Sequence, residues 1–82
     1  VNRRGYSEIN RAFGRRIKAI RNLLGLTQDE LADRVGYSRA NIAQMEAGRA
    51  RWITLHDLEN FSNALSVKPE KFLDGVFKKE AA

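Results

Sequence analysis

Apolar residues recur in the first third of the chain at Ile9, Phe13, Ile17, Ile20 and Leu24, at intervals of four, four, three and four. That spacing draws one stripe along an α-helix. Arg11, Arg15, Lys18 and Asn22 fall on the opposite face at roughly 100° per residue. Ser7 is placed to cap this helix, and Gly25, followed by the apolar Leu26, to close it. Residues 1–8 are then a basic arm. Their sequence, VNRRGYSE, is either an arm that follows a groove of a partner or a disordered lead into the helix.

Shorter elements follow. Thr27, Gln28, Asp29 and Glu30 spell a capping box, in which the Thr hydroxyl takes the Glu30 amide and the Glu carboxylate reaches back. Leu31, Ala32 and Val35 form the inner face of this second helix, and Gly36 ends it where a tight turn needs positive φ. Ser38 caps a third helix that buries Ile42 and Met45 and stops at Gly48. The two are joined by about three residues, the spacing of a helix-turn-helix. Residues 48–53 read as a basic loop. Thr54 opens a fourth helix with Leu55, Leu58, Phe61, Ala64 and Leu65 inward. Pro69 suits the first position of a short fifth helix, whose Phe72 and Leu73 close the core. No strand signal or repeat interrupts this pattern. The expected fold is all-α, with the domain at 9–75 and a C-terminal tail at 76–82.

Eighty-two residues make one small domain. The absence of cysteine excludes disulfides and thiolate metal sites. No apolar run approaches membrane-spanning length and the N-terminus lacks the apolar core of a signal peptide, so the expected location is the cytoplasm. The net charge of +5 and pI near 10.1 point to an acidic partner. The excess is N-terminal. Residues 1–26 set seven Arg and Lys against Glu8 alone, whereas residues 27–48 set Arg34 and Arg39 against Asp29, Glu30, Asp33 and Glu46. Charge alone does not single out the central pair of helices.

Side-chain chemistry does. With Ile42 and Met45 inward, Arg39, Ala40, Ala43 and Gln44 face out. Arg bonds guanine O6 and N7 in pairs, Gln bonds adenine N6 and N7, and an Ala methyl touches thymine. The same residues are also good helix formers, so the face alone leaves plain solvation open.

Residues 17–73 resemble the Xre family of bacterial and phage regulators, the five-helix domain of lambda-type repressors and Cro. The resemblance is carried by IRNLLGLTQDELADRVGYSRANIAQMEAG, by Leu58, Phe61, Ala64 and Leu65 in DLENFSNAL, and by PEKFLDG. It implies a recognition helix over about 38–47 in the major groove. Arg39, Ala40 and Gln44 match base-reading positions, and Ser38 and Asn41 match positions near the flanking backbone. Gln28 matches a residue that contacts phosphate and braces the start of the recognition helix. Arg21 and Glu46 match a partly buried pair joining the first and third helices. Family members usually dimerise around the fifth helix, which implicates Val67, Phe72, Leu73, Val76 and Phe77. Some of these are needed in the core, which leaves Phe77 as the best surface contact.

The chain departs from the family pattern at three points. The loop after Gly48 is one residue longer than is common, and Trp52 stands where Pro is often found. Arg49 and Arg51 either neutralise phosphates, with Arg51 able to enter a narrow minor groove, or are merely solvated. Trp52 is expected to pack on the fourth helix rather than to read DNA. Lys68 replaces the usual Ser or Asp cap of the fifth helix, which predicts a short or 3₁₀ turn.

An enzyme is not expected. His56 is the single histidine, without companions for a metal site, and no Gly-rich phosphate loop is present. No cofactor is implied. The expected function is sequence-specific binding of double-stranded DNA as a transcriptional repressor, by a homodimer on an inverted repeat with half-sites roughly 34 Å apart. The rival is a protein-interaction module on the same fold, such as a partner-binding antitoxin-type subunit. Phage repressor, restriction–modification controller, toxin–antitoxin autorepressor and the DNA-binding end of a longer regulator all share this fold.

Overall fold

Five helices follow one another in the computed structural model, which describes residues 3–50 and 52–77. They are α1 (Arg3–Leu23), α2 (Gln28–Val35), α3 (Arg39–Glu46), α4 (Leu55–Leu65) and α5 (Pro69–Phe72). No strand occurs among the described residues. The fold is all-α, with α1 and α4 clasping the α2–α3 pair and α5 closing the base.

Local chemistry sets most of the boundaries. Thr27 Oγ1 accepts the Glu30 amide at 3.0 Å while Glu30 Oε1 accepts the Thr27 amide at 2.8 Å. Thr54 and Asp57 repeat this reciprocal cap at α4. Between α2 and α3, Gly36 adopts φ 79°, and the amides of Gly36 and Tyr37 both reach Ala32 O. A side chain at that φ would be strained, so glycine sets the angle between the two helices. Lys68 supplies no side-chain cap, and α5 is one turn of four residues.

Phe61 of α4 is the centre of the core, fully buried. Phe13 and Tyr37 meet it edge-on at 6.4 and 5.8 Å between centroids, and Phe72 lies tilted at 6.0 Å. Ile17, Leu31 and Ile42 are also fully buried and knit α1, α2 and α3 around it. Where α1 crosses α3 the approach is unusually close. An added Cβ on Gly14 would stand 2.0 Å from the carbonyl oxygen of Met45.

Several expectations are corrected. Ser7 does not cap α1, which begins at Arg3, so residues 3–8 of the expected arm are helical and residues 1–2 lie outside those described. At 21 residues α1 spans roughly 32 Å and overruns the core it covers, leaving Ile9 and Leu24 more than two-fifths exposed at the ends of the stripe. Leu55 is 83% exposed rather than inward. It lies roughly 90° around the helix from the centre of the Leu58, Phe61 and Leu65 face. Phe72 and Val76 are core residues, 0% and 6% exposed, and are unavailable for a dimer contact. The core therefore extends into the segment expected to be tail, because α5 is a single turn and Val76, beyond it, completes the cover over the aromatic cluster.

Candidate nucleic-acid interface

Helix α3 is held from behind by a buried polar clasp. Arg21 of α1 donates from Nε to Glu46 Oε2 at 2.6 Å and from Nη2 to Glu46 Oε1 at 2.9 Å. Its third nitrogen, Nη1, donates to Leu26 O at 2.8 Å. The two side chains are only 11% and 3% exposed. The fork and the carboxylate match plane to plane, which makes this a strong, directional contact. The hydrogen bond to Glu46 raises the Arg21 pKa above its ordinary value, against the opposing effect of burial.

Gln28, the first residue of α2, joins the same clasp by donating from Nε2 to Glu46 Oε1 at 3.1 Å. This places its amide at the end of α3, not at the start where the family pattern puts its bracing contact. Glu46 thus collects donors from α1 and α2, and the three helices meet at one carboxylate.

A second polar knot holds the turn. Tyr37 donates its hydroxyl to Asp57 Oδ1 and accepts from Asn60 Nδ2 at 3.0 Å. Asp57 Oδ2 still accepts the Thr54 amide at 2.9 Å, so one carboxylate caps α4 and anchors the α2–α3 turn. Burial, then the bond to Asp57, raise the Tyr37 pKa above the ordinary phenol range, while the Asn60 bond acts the other way.

With its back secured, α3 presents an open face. Arg39, Ala40, Asn41 and Gln44 are exposed and Ala43 is half-buried. Ser38 caps the helix, its Oγ accepting the Asn41 amide at 3.0 Å and keeping its own O–H to donate. Ala40, Ala43, Gln44 and Arg49 line a shallow hollow of about 250 Å³. The face offers donors and acceptors beside methyl groups, the mixture that base edges in a major groove require. Arg39 Nε lies 3.9 Å from Asp29 Oδ1 at the start of α2.

The flank carries the basic loop. Arg49 is exposed, and Arg51 lies outside the described residues. Trp52, expected to pack on α4, is 75% exposed. Two residues of α1 organise this edge, of which the sequence pattern does not single out Asn10. Asn10 is buried and donates from Nδ2 to Ala50 O at 2.8 Å, tying the loop to α1. The stem of Arg11 packs against Gly48, where an added Cβ would lie 2.3 Å from Arg11 Cγ. The signal for Asn10 was a polar residue flanking the apolar stripe, which periodicity alone does not distinguish from a solvated one. His56 is exposed near Glu59.

Ile9, Leu55 and Phe77, with Phe13 and Val76, line a groove of about 180 Å³. Phe77 is 60% exposed. No helix among the described residues is long and apolar enough to cross a membrane.

Residues 17–72 match the helix-turn-helix family, and the chain belongs to it. It is a DNA-binding transcription regulator of the Xre, lambda-repressor-like class. Among solved structures it is similar to the restriction-modification controller protein C.AhdI from Aeromonas hydrophila, with 27% identity and a TM-score of 0.70. That likeness covers 76% of this chain and 92% of the controller. No curated protein is significantly similar to the chain in sequence.

Proposed function

We propose that the chain is a homodimeric, sequence-specific repressor that sets α3 into the major groove of an inverted-repeat operator. The observation that carries this reading is the two-sided character of α3. Its inner end is locked by the Arg21–Glu46–Gln28 clasp while Arg39, Ala40 and Gln44 stand exposed together. A helix fixed in the fold with its polar face outward can read bases without first being ordered, which lowers the cost of binding. Arg39, Ala40 and Gln44 read base edges; Ser38, Asn41, Arg49 and Arg51 lie along the phosphates and fix register. Gln28 serves mainly to hold Glu46, and any phosphate contact it makes is secondary.

The apolar groove beside Phe77 supports the dimer. Three large apolar side chains, Ile9, Leu55 and Phe77, are exposed around it, on one small surface where a partner would cover them. Likeness to a restriction-modification controller favours that role over the phage and toxin–antitoxin alternatives. Repression follows from operator occupancy excluding polymerase. The test is selection of bound duplexes from a randomised DNA library at physiological salt. An enriched inverted repeat supports the reading, and its genomic position identifies the regulated genes. A folded protein that enriches nothing rejects it in favour of the protein-interaction module.

A further inference from the structure

We propose that Asp29 is a positioning residue for Arg39, turning its guanidinium so that the outer nitrogens face a single base pair. The inference rests on the DNA-reading role of α3 given above. Asp29 is the second residue of α2 and Arg39 the first of α3, and the helix-turn-helix angle brings Asp29 Oδ1 to 3.9 Å from Arg39 Nε. Nε is the inner nitrogen of the fork. The contact is closest at Nε, and among the described residues no hydrogen bond commits the Nη1 and Nη2 donors.

Reading guanine requires two parallel donors aimed at O6 and N7. An arginine at an exposed helix start samples many rotamers, and a charge beside Nε narrows them before DNA arrives. Asp29 is available for this task because the α2 capping box is completed by Glu30. The side chains of Arg39 and Asp29 are 67% and 73% exposed. Such a pair adds little to stability. It lies instead on the surface that would meet DNA, where a carboxylate repels every phosphate whatever the sequence. Asp29 therefore acts in two opposed ways, weakening binding to DNA in general and sharpening discrimination at the base pair read by Arg39.

The test applies the same library selection to the wild type, Arg39→Ala, Asp29→Ala, Asp29→Asn and the Asp29→Ala/Arg39→Ala double variant. Thermal melts confirm that each is folded. Arg39→Ala identifies its base pair as the position that loses preference. Asp29→Ala is expected to relax that same position about two- to fivefold, the range of an exposed ion pair. It should also strengthen binding to unrelated duplexes, and add no further relaxation in the double variant. Asp29→Asn, which keeps an acceptor but not the charge, should retain part of the discrimination. The proposal is overturned if Asp29→Ala leaves the Arg39 position unchanged or relaxes all positions alike. A wild type that enriches no sequence removes the DNA-reading role itself, and this proposal with it.

Discussion

Gly14 of α1 lies directly against the carbonyl of Met45 in α3, so close that a Cβ added to it would stand 2.0 Å from that oxygen. The helix that positions the whole interface is thus seated backbone to backbone at a residue with no side chain. In a free helix, Gly14→Ala would be stabilising by about 1 kcal/mol. Here it should be destabilising by about 3 kcal/mol, because the methyl forces α1 and α3 apart. A lower urea midpoint tests the sign, and a higher one would show that the helices do not approach this closely.

Glu46→Ala removes the acceptor shared by Arg21 and Gln28 and strands a guanidinium that is only 11% exposed on its side chain. Breaking one partner of a buried pair costs roughly 3–5 kcal/mol, a large share of the stability of a small domain. The measurement is chemical denaturation. A loss below about 1 kcal/mol, the range of exposed pairs, would place the clasp at the surface.

Tyr37 gives the fold an alkaline limit. Its pKa is raised in the folded state by burial and by the bond to Asp57, so the native protein favours the neutral phenol. That contribution is fully present below the unfolded value of about 10 and is lost as pH rises through the higher folded value. Melting temperature should fall between roughly pH 10 and the folded value, and Tyr37→Phe should flatten the fall. The same variant should cost roughly 1–2 kcal/mol near neutrality, through the lost hydrogen bonds. An equal alkaline slope in both proteins would contradict this assignment.

Arg39→Ala and Arg49→Ala should separate reading from anchoring. The first is expected to lose about 1–3 kcal/mol at one base pair and little elsewhere. The second should weaken all duplexes alike and reduce the salt dependence by about one phosphate's worth of counterion release. Fluorescence titrations over a range of salt, on the operator and its single-base variants, distinguish the two. A reversed pattern would exchange the roles.

Phe77→Asp places a charge at the rim of the apolar groove without touching the buried Phe72 or Val76. Stability of the folded protomer should change by about 0.5 kcal/mol or less, as for other surface sites. Self-association measured by sedimentation should weaken markedly. An unchanged association constant would move the dimer contact to another face.

The helices were largely legible because their causes are local. Two reciprocal caps, a glycine at Gly36 and a Pro at Pro69 mark boundaries that depend on a few neighbouring residues. The Arg21–Glu46 pairing came from family resemblance, since two charges 25 positions apart have no local signal of their meeting. Periodicity puts Leu55 only at the edge of the α4 stripe, roughly 90° from its centre, and cannot say whether a neighbouring element covers that edge. It also passed over Gly14, which reads as a weak point in the helix pattern until α3 is laid across it.

By itself the sequence determined an all-α chain with a capped helix pair at its centre and Arg39, Ala40 and Gln44 on one outward face. Those features come from periodicity and from hydrogen bonds between residues three to five apart. Only the tertiary structure decided that Gln28 serves Glu46, that Phe72 and Val76 belong to the core, and that Asp29 faces Arg39. Each depends on the angle and distance between helices, which are set by packing around Phe61 and by the contact at Gly14, and so by all the elements together.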